Sequence, residues 1–201
     1  MPYLTLETCR DLGLLPGCIL EATFIPVPNA RAPHVEDMWY RDLRVIGTST
    51  LEQFKQVLNA STFPGTEQGF GIKLPPGDRC VPVTHKGSRS IITLSVDPAK
   101  VEIVEDSYRQ GKIKINFIDG CGNTFRYMPI TDLGFHTYAM EHHNARDLDR
   151  LNRFLASQEE LYLRIGLSRE YTSPQGKTGY WMQVNGIYSF PDFPRAIRGY
   201  R

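Results

Sequence analysis

The residues best suited to chemistry lie in the last fifth of the chain, where cationic and aromatic side chains alternate. Residues 161–201 contain six lysines or arginines against two carboxylates, a net charge of +4 in a chain whose total is only +1. The same segment holds eight of the 22 aromatic residues. Cations that contact phosphates, interleaved with rings that stack on bases, are typical of proteins that bind single-stranded nucleic acid.

Within this segment, the connection Ser168–Lys177 is predicted to be a loop between two strands, and Arg169, Tyr171 and Lys177 are its best ligand residues. Strand alternation places Tyr180, Met182 and Val184 on one face and Trp181, Gln183 and Asn185 on the other. Trp181 then either faces a ligand or packs against a helix. The tail arginines either contact phosphate or are simply solvated. The predicted nucleic-acid-binding set is Arg164, Arg169, Tyr171, Lys177, Trp181, Arg195 and Arg198.

Two other clusters contain residue types that bind metals. His34, Glu36, Asp37 and Trp39 follow a proline-rich turn, but adjacent carboxylates point in different directions on most backbones. A structural role is therefore preferred, with Trp39 buried between two barrels and Asp37 bonded to backbone. The cluster His136, Glu141, His142 and His143 lacks the HExxH spacing and is expected to be an exposed polar loop. No metal site and no cofactor are predicted.

The chain lacks a catalytic signature. No GxxxxGK[ST] phosphate loop and no GxSxG nucleophile motif occurs in it. Cys121 is expected to be exposed on a hairpin turn without a neighbouring histidine to activate it. The sequence therefore predicts a protein that is not an enzyme.

Composition limits the class of protein. The 201 residues are 41% hydrophobic and 22% charged, which excludes extensive disorder. No apolar run is long enough to span a bilayer, and no export signal is recognisable, so no membrane partner is expected. The cysteines at 9, 18, 80 and 121 are widely spaced. They are expected to be reduced, as in a cytoplasmic protein.

The order of elements predicts a mainly β fold. In the first half we expect a short opening strand at Tyr3–Leu6, strands at 19–28 and 38–46, a helix over 50–60 and strands at 80–84 and 90–96. Ser49 and Glu52 are predicted to form a capping box for the helix, and 63–76 to be loop. In the second half we expect strands at 101–104, 112–118 and 124–130, a helix after Asn144, and strands at 161–167 and 179–190.

Three strands, a helix and two strands in about 100 residues is the order of the OB-fold, a five-stranded Greek-key barrel. The sequence therefore predicts two OB-like barrels in tandem. Residues 1–98 form the first, 99–190 the second, and 191–201 a basic C-terminal tail.

Several short motifs carry a family resemblance. Pro33–Trp39 follows an Ile-Pro-x-Pro strand end at Ile25–Pro28, and Leu161–Ser168 is followed by Tyr171 and Gly179–Val184. Between them lie Ser90–Pro98 and Met128–Asp132. Over roughly residues 18–190 this pattern resembles the bacterial dual OB-containing domain family, which implies a role in handling nucleic acid. The segment before residue 18 is shorter than that family's opening strand, and the tail after Pro191 has no counterpart there.

We therefore expect a cytoplasmic, non-enzymatic protein that binds single-stranded DNA or RNA on the basic, aromatic face of the second barrel. The near-neutral total charge favours an alternative, a protein-interaction or scaffold subunit of a bacterial nucleic-acid-processing or defence complex. A third hypothesis is an enzyme or sensor that acts on a nucleotide through His34, Glu36 and Asp37.

Overall fold

The computed structural model describes residues 4–107, 109, 111–141 and 145–193, and the fold over these residues is mainly β. The strands are β1 (Cys18–Pro26), β2 (Met38–Thr48), β3 (Thr62–Phe63), β4 (Cys80–Val81), β5 (Ile91–Val96), β6 (Val101–Glu105), β7 (Ile113–Ile118), β8 (Thr124–Pro129), β9 (Glu160–Thr172) and β10 (Thr178–Phe190). The helices are α1 (Leu6–Asp11), α2 (Leu51–Ala60), α3 (Thr66–Phe70), α4 (Leu133–Glu141) and α5 (Ala145–Ala156), with a 3-10 turn at Pro98–Lys100.

The described strands form three sheets. A central sheet has the order β3-β5-β9-β10-β4, in which only the β3–β5 pairing is parallel. A three-stranded antiparallel sheet has the order β6-β7-β8, and β1 pairs with β2 in a separate ribbon. The mainly β prediction is confirmed. No closed barrel is formed by the described strands, because each sheet ends in strands that have only one neighbour.

The central sheet takes strands from both sides of residue 98. β9 and β10 are 13 residues each and form a long antiparallel hairpin. Its two free edges are covered by β5 and β4, which come from the first half of the chain. Edge strands expose unpaired backbone groups, so this pairing satisfies donors and acceptors that the hairpin would otherwise leave open.

A single large core lies between the two larger sheets. It contains Leu94 and Ile165 of the central sheet, Ile115 of the three-stranded sheet, Phe135 of α4 and Leu155 of α5, all nearly inaccessible to solvent. The amide of Thr131 also donates to the Val184 carbonyl at 2.8 Å, which joins the end of β8 to β10. Burial of this apolar area is the main contribution to the stability of the fold.

The opposite face of the central sheet carries a smaller aromatic cluster. Tyr162, Tyr188 and Phe190 pack there against Phe54 and Leu58 of α2. The phenol of Tyr162 donates to Asn59 at 2.7 Å, and burial together with Glu160 raises the pKa of Tyr162 to about 12. This cluster fixes α2 over one end of β9 and β10.

Several local predictions are corrected. α2 is capped by Thr50 and Gln53, one residue later than the predicted Ser49 and Glu52, because the Ser49 hydroxyl instead donates to the Gly17 carbonyl at 2.9 Å. The predicted opening strand is wrong at residues 4–6, since Thr5 caps α1 and Leu6 begins it; Tyr3 lies outside the described residues.

The predicted loop 63–76 begins within β3 and contains α3. α4 was not predicted. It begins where the Asp132 carboxylate accepts from the Phe135 amide at 3.1 Å. The other oxygen of that carboxylate accepts from the Ile187 amide, a contact 55 residues away in sequence.

The β1–β2 ribbon is solvated on both faces. None of its side chains is buried, and Ile19, Leu20, Phe24, Met38, Trp39 and Ile46 are exposed. Asp42 has a φ of 55° at an irregularity in the pairing, where the local twist of the ribbon changes. No described helix is long and apolar enough to cross a membrane. All four cysteines are free thiols.

Candidate nucleic-acid interface

The end of the β9–β10 hairpin (168–181) brings together four of the predicted ligand residues. β9 extends to Thr172, so Arg169 and Tyr171 lie on a strand and the predicted loop Ser168–Lys177 is shorter than expected. The turn is closed by the Ser173 amide, which donates to the Lys177 carbonyl at 2.9 Å, and Gly176 supplies the positive φ of 83° that the turn requires. We call residues 168–181 the hairpin end.

Arg169 is paired with a carboxylate from the first half of the chain. Its guanidinium lies 2.6 Å from the Asp37 carboxylate, and the two side chains are 48% and 25% exposed. Tyr171, two residues further along β9, is 55% exposed. Because residues i and i+2 of a strand share a face, Tyr171 and Arg169 lie on the same face of β9.

Lys177 is paired in the same way. Its ammonium lies 2.6 Å from the Asp78 carboxylate, just before β4. Burial raises the pKa of Asp78, but the hydrogen bonds from Lys177 and from the Cys80 amide outweigh burial, so that the pKa lies below its usual range. The Asp78 carboxylate is therefore charged and bound to Lys177 at neutral pH.

Trp181 is half-buried and supports the hairpin end from the side. Its indole Nε1 donates to the Tyr171 carbonyl at 3.1 Å, and its amide donates to the Ser168 hydroxyl at 2.9 Å. The neighbouring Tyr180 and Met182 are buried in the core, which confirms the predicted alternation of β10. Since the indole N–H is already bonded to backbone, Trp181 fixes the position of Tyr171.

The connection between β1 and β2 rests on the hairpin end. We call this connection, residues 27–37, the ribbon tip. His34 is buried and its Nε2 donates to the Ser168 carbonyl at 3.1 Å. The Glu36 carboxylate accepts from the amide and hydroxyl of Ser90 at 2.5 and 2.6 Å, and the Tyr180 hydroxyl donates to the Ala32 carbonyl at 3.2 Å. Burial and then the Arg169 charge lower the pKa of His34.

Two structural predictions for this region are wrong. Trp39 was expected to be buried between two barrels, yet it is 41% exposed, because the ribbon stands apart from the other sheets. The Asp37 carboxylate was expected to bond backbone, but it accepts from Arg169. Trp39 is the second residue of β2 and follows Asp37 by two residues in the chain.

The other predicted ligand residues are not part of the hairpin end. Arg164 lies in the middle of β9, five residues and about 17 Å of strand from Arg169. Arg164 is half-buried, and its Nε is inaccessible to solvent and has no hydrogen-bond partner. The Oδ1 of Asn185 is likewise buried without a hydrogen-bond partner. Arg195 and Arg198, and with them the basic tail beyond Phe193, lie outside the described residues.

The described residues contain no group of three or more His, Cys, Asp or Glu side chains arranged to hold a metal ion. His142 and His143 fall outside them. Burial and the nearby lysines at 112 and 114 lower the pKa of His136. Cys121 is exposed on the β7–β8 turn, as predicted, and its thiol donates to the side chain of Gln68.

Three residues near the hairpin end were missed by sequence reasoning. They are Asp78, Arg79 and Tyr127, the last of which is 40% exposed with a φ of 54°. Arg79 donates to the Tyr127 carbonyl at 2.7 Å. The sequence holds no signal for this grouping, because Asp78 and Arg79 precede β4 whereas Tyr127 lies in β8, and the two segments meet only in the tertiary structure.

Comparisons of the chain with protein-family models, with curated proteins and with solved structures found no match.

Proposed function

We propose that this chain binds single-stranded nucleic acid, without catalysis, on a surface formed by Trp39, Arg169, Tyr171 and Lys177, here called the hairpin surface. The observation that carries the proposal is the pair of exposed rings. Trp39 and Tyr171 each lie two residues from a member of the Arg169–Asp37 ion pair, one on the ribbon and one on β9.

Exposed rings at fixed positions favour this function because nucleobases stack on them whatever their sequence. Each such stack contributes roughly 1–3 kcal/mol. The hydrogen bond from Trp181 to the Tyr171 carbonyl fixes the backbone at Tyr171, and the cross-strand pairing of the ribbon fixes the backbone at Trp39. Because the backbone is already ordered, only the side chains lose conformational entropy when a base stacks on them.

The cations of the surface are already bound to carboxylates. When a strand binds, its phosphates replace Asp37 as the partner of Arg169 and Asp78 as the partner of Lys177. Both ion pairs are exposed enough to solvent for this replacement. Partly exposed ion pairs contribute about 1 kcal/mol or less, so a phosphate that offers two oxygens to a guanidinium competes with them. Binding of this kind weakens as salt concentration rises.

The more detailed predictions from the sequence are kept here as part of the proposal. A tandem of two OB-like barrels, membership of the dual OB-containing family and a cytoplasmic location all remain predictions. So do phosphate contacts from Arg164, Arg195 and Arg198. The proposal for the hairpin surface depends on none of them.

The test is fluorescence anisotropy with labelled single-stranded DNA, single-stranded RNA and duplex DNA at several salt concentrations. We expect single strands to bind, with affinity falling as salt rises, and the triple variant R169A/Y171A/K177A to lose this binding. The control is R44A/R150A/V57A, which removes two exposed arginines and an exposed apolar side chain from other surfaces. Wild-type affinity in the triple variant would show that the hairpin surface is not the site.

A second function is favoured by the apolar residues of the ribbon. Ile19, Leu20, Phe24, Met38 and Ile46 are exposed on a ribbon that contacts little else. Exposed apolar patches of this kind mark protein-interaction surfaces. A scaffold subunit would bind a protein partner through the ribbon and show little salt-dependent binding to any nucleic acid, so the same anisotropy experiment separates the two functions.

A further inference from the structure

A large cleft in the described part of the chain lies between α5 and the three-stranded sheet, away from the hairpin surface. It has a volume of about 860 Å³, which is within the usual range for ligand sites. We call it the α5 cleft. Its apolar lining includes Ala99, Ile118 and Ala156, its cations are Lys100, Arg126 and Arg153, and its carboxylates are Glu102 and Asp149.

Two of the cations keep hydrogen-bonding capacity for a ligand. The guanidinium of Arg126 bonds to no described residue, and Arg153 uses only Nε, which donates to the Asp149 carbonyl at 3.3 Å. The Glu102 carboxylate is partly occupied, since it accepts from Asn116 at 3.1 Å, and Lys100 lies 3.6 Å from Asp97. Two guanidinium groups with free terminal nitrogens in one cleft suit an anion with several oxygens, such as a phosphate ester.

The α5 cleft is connected to the hairpin surface by a continuous row of residues. Lys177 contacts Asp78, and the next residue, Arg79, donates to the carbonyls of Tyr127 and Arg126 at 2.7 and 3.4 Å. Tyr127 presents an exposed ring, and the side chain of Arg126 lines the cleft. Cations and an exposed ring therefore continue from one surface to the other.

We propose that the strand bound at the hairpin surface continues past Tyr127 into the α5 cleft, where Arg126 and Arg153 bind one of its phosphates. This inference rests on the proposed function and extends it, because it assigns a second contact region to the same ligand. The apolar lining covers part of the bound nucleotide, and the two guanidinium groups neutralise its phosphate. Asp149 and Glu102 also line the cleft and limit its net positive charge.

The test compares oligothymidylates of about 5 and about 16 nucleotides, which span the range of site sizes known for single-strand-binding domains. The variant R126A/R153A is expected to lose on the order of tenfold in affinity for the longer strand, with a reduced salt dependence, and to bind the shorter strand as the wild type does. The control R150A removes an arginine from the same helix that does not line the cleft.

The outcomes separate the two proposals. If the wild type binds neither length, the proposed function fails and this inference fails with it. Suppose instead that the wild type binds both lengths. If R126A/R153A then has wild-type affinity for the longer strand, or loses affinity equally for both strands, only the inference is overturned. Thymidine monophosphate serves as a third ligand; if it binds the cleft as tightly as the long strand does, the cleft is an independent nucleotide site and the continuous path is wrong.

Discussion

The Arg169 guanidinium lies 2.6 Å from the Asp37 carboxylate, across 132 positions of sequence. This ion pair joins the end of β9 to the tip of the β1–β2 ribbon. Trp39 and Tyr171 each lie two residues in sequence from one member of this ion pair, and both side chains are exposed. The same two regions are also joined by the bonds from His34 to the Ser168 carbonyl and from Tyr180 to the Ala32 carbonyl.

Removing a carboxylate that competes with phosphate should strengthen binding. We expect D37N and D78N each to raise affinity for single strands by a few fold at low salt, because a neutral amide competes less strongly than a carboxylate with a phosphate for Arg169 or Lys177. Anisotropy titrations measure this. E21Q removes a carboxylate paired with Arg44 elsewhere on the ribbon and serves as the control. Unchanged or weaker affinity in both variants would exclude the exchange.

Removing either exposed ring should weaken binding without unfolding the protein. Y171A and W39A are expected to lose roughly five- to hundredfold in affinity, as the loss of one base stack would predict. Thermal unfolding should change little, since neither side chain is buried. I46A removes an exposed apolar side chain of the ribbon and is the matched control. Equal losses of affinity in I46A and W39A would indicate that any exposed apolar side chain of the ribbon matters, and not base stacking on Trp39.

The stability of the protein should fall as pH drops through the range of histidine titration. Burial and Arg169 lower the pKa of His34 below 6.5, while its bond to Ser168 and the nearby Asp37 and Glu36 oppose the shift. The unfolded chain therefore binds the proton more readily, so the free energy of unfolding is highest above pH 6.5 and decreases below it. Urea titrations from pH 8 to about 5 measure the slope.

The variant H34Q should reduce that pH dependence. The pKa of His136 is also lowered, by burial and two lysines, so H136Q is measured beside it to separate the two histidines. If H34Q keeps the full slope while H136Q loses it, the ribbon tip is not the site of the effect. The direction of the His34 pKa shift can also be measured from the ring resonances of His34 in an NMR titration.

Asp119 is a buried carboxylate that lies outside the proposed interface and accepts several hydrogen bonds. It is nearly inaccessible and accepts from the amides of Thr66, Cys121 and Asn123 at 2.9–3.1 Å. We expect D119A to lower the free energy of unfolding by about 2–4 kcal/mol, because three donors lose their acceptor at once. D97A, which removes an exposed cap bonded to one amide, should cost about 1 kcal/mol or less. Similar losses in the two variants would contradict this reasoning.

The positions of most strands and of two helices follow from local patterns. Alternation in β10 predicted that Tyr180, Met182 and Val184 share one face, which in the structure is the core face. The pattern after Asn144 predicted a helix there, and α5 buries Leu148, Leu151 and Leu155. These predictions succeed because periodicity reports which side of an element is buried. α4 was missed because its apolar residues show no clear periodicity and its cap, Asp132, also bonds to the distant Ile187.

The sequence by itself determined that the protein is mainly β and that Arg169, Tyr171 and Lys177 lie at the end of one hairpin, because those residues are neighbours in the chain. Only the tertiary structure decided that β5 and β4 pair with β9 and β10, and that Asp37 and Asp78 meet Arg169 and Lys177. The reason is physical: strand pairing satisfies backbone groups that are the same in every residue, so the sequence pattern shows where strands are but not which edges meet.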